Sequence, residues 1–174
     1  RLNGIIENIL GLARRQGAQP QNIELNSFVQ AFVAEHLSTN PQDVNAISIN
    51  PAAAPVYGLF DRSHLHQILT VLLSNALNYG HQPHLPPEII LSVDKDGRHA
   101  IIRVNDKGPG ISNDRLQQLF KPFNTTSNHG TGLGLYIAKE LSDANQAGLK
   151  YNLALGGGSQ FTLSLSDGQT LLAH

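Results

Sequence analysis

The sequence predicts an α+β domain, a two-layer α/β sandwich in which helices cover one face of a sheet. Strand-like runs with alternating polar and apolar residues are mixed with segments whose apolar residues recur at helical spacing. The 16 glycines and 9 prolines collect between these periodic segments, as loop residues do. With 174 residues, 40% of them hydrophobic, the chain is long enough for one domain with a sizeable core.

The elements of the first half follow from periodicity and capping residues. Residues 2–12 read as the end of a longer amphipathic helix, and residues 17–22 as a linker. The next helix is predicted to be capped by Asn26 or Ser27. The predicted elements are a strand over 23–25, that helix to about 37, strands over 46–49 and 56–60, and a helix over 62–79 between Asp61 as its cap and Gly80 as its end.

The second half begins with a proline-rich loop over 81–87 and then alternates again. Lys95-Asp96-Gly97 is a hairpin-turn signal, and Gly156-Gly157-Gly158 is another. The predicted elements are strands over 88–93 and 99–104, a short helix over 114–120 capped by Ser112 or Asn113, a polar loop over 124–129, a helix over 132–145, and strands over 150–155 and 160–165 before a tail from 167.

The composition excludes several classes of protein. The formal net charge is −1 and no polybasic run is present, so we expect no nucleic-acid partner. No cysteine is available for a disulfide or a thiolate metal site. No apolar run reaches about 18 residues, so this segment is not expected to lie in a membrane. The chain lacks an initial methionine and a signal peptide and begins within a helical pattern, so we expect it to be part of a longer protein.

Asp106 is the first candidate functional residue. It follows the apolar run Ile101–Val104 and is followed by Gly108 and Gly110. A carboxylate in a partly dry pocket can accept a hydrogen bond from the exocyclic amine of a purine, and the glycines let the backbone approach a flat ring. The alternative is an ordinary surface turn of the Asp-x-Gly type.

A second glycine run, Gly130-Thr131-Gly132-Leu133-Gly134, opens the predicted helix over 132–145. Free backbone amides at a helix N-terminus bind phosphate. The spacing matches neither the P-loop nor the dinucleotide-binding fingerprint. The alternative is a glycine-rich helix start that binds nothing.

Asn75 interrupts the apolar face of the helix over 62–79, with Tyr79 one turn later. Its amide oxygen can ligate Mg²⁺ together with phosphates and water. The alternative is a structural asparagine that bonds to backbone. Tyr79 can stack near a nucleotide or be a core aromatic at the helix end.

These motifs together resemble the catalytic ATP-binding domain of sensor histidine kinases. Asn75 with Tyr79, Asp106 to Gly110, Phe120 to Phe123 and Gly130 to Gly134 are similar to its four conserved boxes, in the same order. The resemblance implies the mixed, mostly antiparallel sheet shared with gyrase and Hsp90. It also implies a domain over 23–166 with a tail over 167–174, and residues 1–16 as the end of a dimerisation and phosphotransfer helix.

The resemblance also implies the ligands and the residues that hold them, which are ATP and Mg²⁺. Asp106 would bind the adenine amine, Asn75 the metal, and Ser159 the base through water, while Phe120 and Phe123 would anchor a lid. No residue of the chain is assigned a certain catalytic role. The implied ATP site comprises Asn75, Tyr79, Asp106, Gly108, Gly110, Ile111, Phe120, Phe123, Thr131, Gly132, Leu133, Gly134, Leu135 and Ser159.

The implied activity is transfer of the γ-phosphoryl group to a histidine of the adjacent dimerisation domain, and from there to a response regulator. The eight histidines of this chain lack that residue's acidic helical setting, so we expect the acceptor upstream. Residues 122–126 and 140–147 resemble the nitrogen-regulatory group, in particular sensor kinases of type IV pilus genes. This implies a homodimer and the cytoplasmic part of a bacterial inner-membrane sensor.

Two positions depart from the family pattern and keep two alternatives open. Val71 stands where a second asparagine is usual, and Asn78 stands where a basic residue is usual. These changes favour a degenerate nucleotide-binding module with little or no kinase activity. The second alternative is an ATPase or protein-serine kinase of the same fold, although gyrase-type ATPases carry a glutamate base at the position of Val71.

Overall fold

The computed structural model describes residues 17–124 and 132–167. The predicted helix over 2–12, the loop over 125–129 and the tail from 168 lie outside the described residues. The strands are β1 (Pro20–Glu24), β2 (Ile47–Asn50), β3 (Tyr57–Asp61), β4 (Ile89–Asp96), β5 (His99–Asp106), β6 (Gly148–Leu153) and β7 (Ser159–Asp167). The α-helices are α1 (Leu25–Thr39), α2 (Arg62–Tyr79), α3 (Asn113–Leu116) and α4 (Gly134–Ala144), and a 3₁₀-helix covers Pro41–Asp43.

The seven strands form one sheet in the order β1-β3-β7-β5-β4-β2, with β6 also paired to β7. Only β2 and β4 are parallel among the described pairs, so the predicted mixed, mostly antiparallel sheet is confirmed. One edge of β7 pairs with β5, while its other edge is shared by β6 and by Gly58 and Leu59 of β3. This arrangement brings the start of β7 beside the end of β5, where Asp106 lies.

The helices and one face of the sheet enclose a single apolar core. Alternate residues of β4, β5 and β7 are buried, as are the apolar residues of α1 and α2 at helical spacing. Each fully buried leucine or isoleucine contributes about 1.5–3 kcal/mol relative to exposure. The predicted two-layer sandwich is therefore confirmed. None of the described helices is long and apolar enough to cross a membrane.

The capping prediction holds for α2 and is wrong for α1. The Asp61 carboxylate accepts the backbone N–H groups of Ser63 and His64, and Gly80 ends α2. Helix α1 is instead capped by Glu24, whose carboxylate accepts the N–H groups of Asn26 (3.1 Å) and Ser27 (2.7 Å). The Asn26 side chain is engaged elsewhere, because it bonds to both backbone groups of Ala52.

Several ends of strands and helices differ from the predicted ones, because contacts with residues distant in sequence determine where these elements begin and end. Strand β1 begins at Pro20, inside the predicted linker, since it pairs with β3 over its whole length. The predicted helix over 114–120 ends at Leu116, and Ser112 precedes it without a side-chain cap bond. The hairpin across 156–158 is present, with β6 shifted two residues toward the N-terminus.

Candidate functional site

Asp106 is the last residue of β5, and only one of its two carboxylate oxygens accepts hydrogen bonds from the described residues. The residue is 8% exposed. Its Oδ1 accepts the backbone N–H of Gly108 at 2.9 Å and that of Ser159 at 3.0 Å. No group among the described residues donates to Oδ2. The carboxylate is therefore held in one orientation by two amides, and its second oxygen is left to accept a ligand donor.

Gly80 lies directly beside that second oxygen. A β-carbon on Gly80 would lie 2.6 Å from Asp106 Oδ2, and one on Gly108 would lie 2.6 Å from the Gly80 carbonyl carbon. The end of α2 and the loop after β5 therefore meet backbone to backbone. Sequence reasoning treated Gly80 only as a helix end. The signal that could have identified its second role is a glycine following directly on the Asn75–Tyr79 motif.

Two further glycines shape the loop after β5. Gly110 has φ +75°, and a β-carbon there would lie 2.7 Å from Leu153 Cδ2. Gly158 has φ +93°, and a β-carbon there would collide with the Asp106 carbonyl oxygen. Both positions have a left-handed backbone, which favours glycine, and at Gly158 the contact with backbone also leaves no room for a side chain. The ordinary surface turn considered for Asp106 is not what the structure contains.

Ile111 and Ser159 are joined by a residue that sequence reasoning missed. The backbone N–H of Ile111 donates to Tyr151 Oη at 2.7 Å. The hydroxyl oxygens of Ser159 and Tyr151 lie 3.3 Å apart. Tyr151 reaches the site because β6 pairs with β7. The sequence motifs of the site do not predict that register. The structure thus brings Asp106, Ile111 and Ser159 together, as the resemblance implies, and adds Tyr151.

Asn75 is half-buried on α2, and its carboxamide has no hydrogen-bond partner among the described residues. The alternative of a structural asparagine bonded to backbone is therefore not observed. Tyr79 is 52% exposed, which removes the core-aromatic alternative. An amide oxygen without a donor within residues 17–124 and 132–167, one turn from an exposed tyrosine, suits a ligand-facing role better than a structural one.

The start of α4 lies against the middle of α2. A β-carbon on Gly134 would lie 3.2 Å from Val71 Cγ1, and Leu133 at the N-cap position makes no side-chain cap bond. Leu135 in the first turn packs against the core. The predicted helix thus begins at Gly134, two residues later than expected. Thr131 lies outside the described residues.

Helix α2 connects the two ends of the candidate site. It contacts Asp106 through Gly80 and α4 through Val71, and Asn75 lies between them. At 1.5 Å per residue these two contacts are about 13 Å apart along the helix axis. The arrangement suits an extended ligand with a purine at one end and an anionic chain at the other, where helix-end amides attract negative charge.

The two phenylalanines of the lid motif differ in their surroundings. Phe120 is half-buried, with its ring edge-on to Phe161 at 6.5 Å between centroids. Phe123 has φ +62° and is 65% exposed, so it does not pack as an anchor in this structure. Gly132, with φ +70°, lies beside it, since a β-carbon there would be 2.7 Å from the backbone nitrogen of Asn124.

Comparison with known proteins identifies the family of this chain. Residues 60–169 match the family model described as histidine kinase-, DNA gyrase B-, and HSP90-like ATPase. The sensor protein kinase PilS of Pseudomonas aeruginosa is 36% identical over 168 residues, which are 95% of this chain and 32% of that protein. Sporulation kinase B of Bacillus subtilis is 24% identical over 95% of this chain and 38% of its own length. The chain therefore spans about a third of the length of these relatives.

Solved structures show the same fold. The catalytic domain of histidine kinase ThkA superposes with a TM-score of 0.74 at 20% identity, covering 86% of this chain and 96% of that one. The histidine kinase AdeS of Acinetobacter baumannii gives a TM-score of 0.71 at 24% identity, covering 94% of this chain and 76% of that one.

Proposed function

The chain belongs to the histidine kinase-, DNA gyrase B-, and HSP90-like ATPase family, and we propose that it binds Mg·ATP and donates the γ-phosphoryl group to a histidine. The acceptor histidine would lie on the dimerisation domain that precedes this segment in a sensor kinase. A response regulator would then receive the phosphoryl group. The similarity to PilS supports an assignment to type IV pilus transcription control, in a homodimeric sensor of the bacterial inner membrane whose cytoplasmic part includes this domain.

The observation that carries the proposal is the half-engaged carboxylate of Asp106. Oδ1 is occupied by the N–H groups of Gly108 and Ser159, while Oδ2 lies beside Gly80 and has no donor among the described residues. An adenine amine is a donor and satisfies Oδ2, whereas the guanine oxygen at the same position would face a negative charge. The pocket therefore selects ATP over GTP.

At the phosphate end of the proposed site, the residues would align the ligand and stabilise its charge, and none would act as a general acid or base. Phosphoryl transfer requires little covalent chemistry from the protein and depends on alignment and charge stabilisation. The first-turn amides of α4 would hold the anionic chain. The Asn75 carboxamide, which has no partner in the part of the chain that the structure describes, fits a Mg²⁺ ligand, and the metal when bound would neutralise phosphate charge.

A degenerate binding module is the second candidate, and Val71 is the observation that favours it. Its methyl group contacts the position of Gly134 at the start of α4, so no polar group is offered to phosphate there. Asn78 is exposed and bonds to Ser74 at 3.3 Å. The absence of a carboxylate base at Val71 argues against gyrase-type hydrolysis, because no side chain at that position can activate water.

Phosphoryl transfer in the longer protein separates these candidates. The protein is extended upstream to include the dimerisation helices and is incubated with Mg²⁺ and ATP labelled at the γ-phosphate. We expect acid-labile, base-stable label on the wild type, loss of the label in Asp106→Asn, and retention in Asp96→Asn, which changes the exposed last residue of β4. Nucleotide binding without any label would identify the degenerate module instead.

A further inference from the structure

We propose that Tyr151 is a positioning residue for nucleotide binding, because its phenol oxygen holds the backbone of Ile111 at the purine end of the candidate site. The proposal deepens the function above and rests on it, since it concerns the same site. Tyr151 lies on β6, outside every motif that the sequence analysis identified. It would touch no atom of the nucleotide itself and would act through Ile111.

The ring of Tyr151 is held in place by the sheet. Tyr151 pairs with Phe161 across β6 and β7, and the two rings meet edge-on with 5.3 Å between centroids. The Phe161 ring is also edge-on to that of Phe120, at 6.5 Å. Because strand pairing and ring packing both fix the tyrosine, its hydroxyl is a rigid attachment point for a neighbouring loop.

The bond between Ile111 and Tyr151 has only one possible direction. A backbone N–H can only donate, so Tyr151 Oη is the acceptor, at 2.7 Å from the Ile111 nitrogen. The Ser159 hydroxyl donates to the same oxygen at 3.3 Å. These donors lie 40 and 8 residues from Tyr151 in sequence. One phenol oxygen therefore joins the loop after β5 to the start of β7.

The loop after β5 is attached on both sides of a flexible glycine. On one side, the Gly108 N–H donates to Asp106 Oδ1 at 2.9 Å, and on the other the Ile111 N–H donates to Tyr151. Between them, Gly110 has φ +75°. Glycine reaches this conformation readily but also many others, so the bond to Tyr151 restricts what the glycine alone would leave open.

This attachment bears on affinity through preorganisation. The Ile111 side chain packs partly against the apolar core, and the resemblance implies that it lines the adenine pocket. A loop that is already ordered before the ligand arrives loses less conformational entropy on binding. Tyr151→Phe keeps the ring and its packing but removes the acceptor of the Ile111 N–H. The loop must then be ordered by the nucleotide itself, which weakens binding.

Amide hydrogen exchange in this chain without nucleotide tests the attachment. In the wild type, the Ile111 amide should exchange about 10-fold or more slowly than in an unstructured chain. Tyr151→Phe should speed that exchange about 3- to 10-fold and leave the amide of Leu163, in the middle of β7, unchanged. A general loss of stability would instead speed exchange at Leu163 as well.

Affinity for Mg·ATP, measured by competition against a fluorescent ATP analogue, tests the consequence. We expect Tyr151→Phe to raise the dissociation constant about 3- to 10-fold, the value of one hydrogen bond. Tyr57→Phe is the matched control, because it removes a phenol hydroxyl from β3, outside the site. It should change neither the affinity nor the exchange of Ile111.

Three results would contradict the inference. Wild-type exchange at Ile111 as fast as in an unstructured chain would overturn it without the need for any variant. Equal Mg·ATP affinity in the wild type and Tyr151→Phe would overturn it while leaving the proposed function intact. Failure of the wild type to bind Mg·ATP would overturn both the inference and the proposed function.

Discussion

The backbones of Gly80 and Gly108 are in contact, since a β-carbon on Gly108 would lie 2.6 Å from the carbonyl carbon of Gly80. This contact joins the end of α2 to the loop after β5. It also places Gly80 against Asp106 Oδ2, the oxygen that the proposed function assigns to the adenine amine. Two residues without functional side chains thus border the oxygen at which the proposed function places the purine.

Gly108→Ala should therefore disrupt nucleotide binding more than it disrupts folding. The added methyl must push the loop away from Gly80, which moves the Gly108 N–H from Asp106 Oδ1. We expect ATP affinity to fall at least tenfold, about the value of one charged hydrogen bond. Gly148→Ala is the matched control, because its β-carbon would meet nothing closer than 4.0 Å. Equal ATP affinity in both variants would contradict the contact.

Asn145 joins the end of α4 to the start of α2. Its Nδ2 donates to His64 Nδ1 at 3.0 Å and to the Leu141 carbonyl at 2.8 Å, and its Oδ1 accepts the Asp61 N–H at 2.8 Å. Removing the carboxamide leaves the 8%-exposed His64 and a backbone N–H without these partners.

We expect Asn145→Ala to lower the free energy of unfolding by about 2–3 kcal/mol in urea titrations, from the cost of buried unsatisfied groups. Asn152→Ala, exposed on β6, should change it by less than about 0.5 kcal/mol. A loss at Asn145 no larger than that at Asn152 would rule out a structural role for the carboxamide.

The acid sensitivity of the fold should depend on Asp61. Burial alone would raise the pKa of Asp61, but the Gln19 N–H, the Ser63 hydroxyl and the His64 N–H and imidazole outweigh it and lower the pKa. A depressed folded pKa stabilises the fold above the unfolded pKa of about 3.9, and that stabilisation is lost as the pH falls through the folded pKa.

Asp61→Asn keeps a residue that can cap α2 and removes the titration. Urea midpoints measured from about pH 7 down to about pH 3 should therefore fall less steeply in Asp61→Asn than in the wild type. If the urea midpoints of the two proteins fall equally with pH, titration of Asp61 does not cause the loss of stability in acid.

Phe120 and Phe123 provide a matched pair within one motif. Phe120→Ala removes a half-buried ring that packs edge-on against Phe161, so we expect a loss of about 1–3 kcal/mol in unfolding free energy. Phe123→Ala removes a ring that is 65% exposed and should change stability by less than about 0.5 kcal/mol. Comparable losses in thermal denaturation would mean that Phe123 packs in solution.

The features that sequence predicted best are those set by local pattern. The cap at Asp61, the end of α2 at Gly80 and the alternation in β4, β5 and β7 each depend on residues close in sequence. Glu24 was missed as a cap because glutamate is not among the residues preferred there, and because Asn26 has a partner 26 residues away.

The missed part of the candidate site depends on strand register. Tyr151 reaches Ile111 across 40 residues because β6 pairs with β7, and Ser159 reaches Asp106 across 53 residues. No periodicity within either segment encodes these contacts. The exposure of Phe123 could not be predicted either, because a sequence motif specifies a residue type and not how its side chain packs.

Isothermal titration of this chain with Mg·ATP tests the central claim most directly. The Asp106→Asn side chain can still accept the N–H groups of Gly108 and Ser159 through Oδ1, but its amide NH₂ would then face the adenine amine, donor against donor. We expect wild-type protein and Asp96→Asn to bind Mg·ATP alike, and Asp106→Asn to bind about 10- to 150-fold more weakly with unchanged thermal stability. Undiminished binding of Mg·ATP by Asp106→Asn would contradict the account.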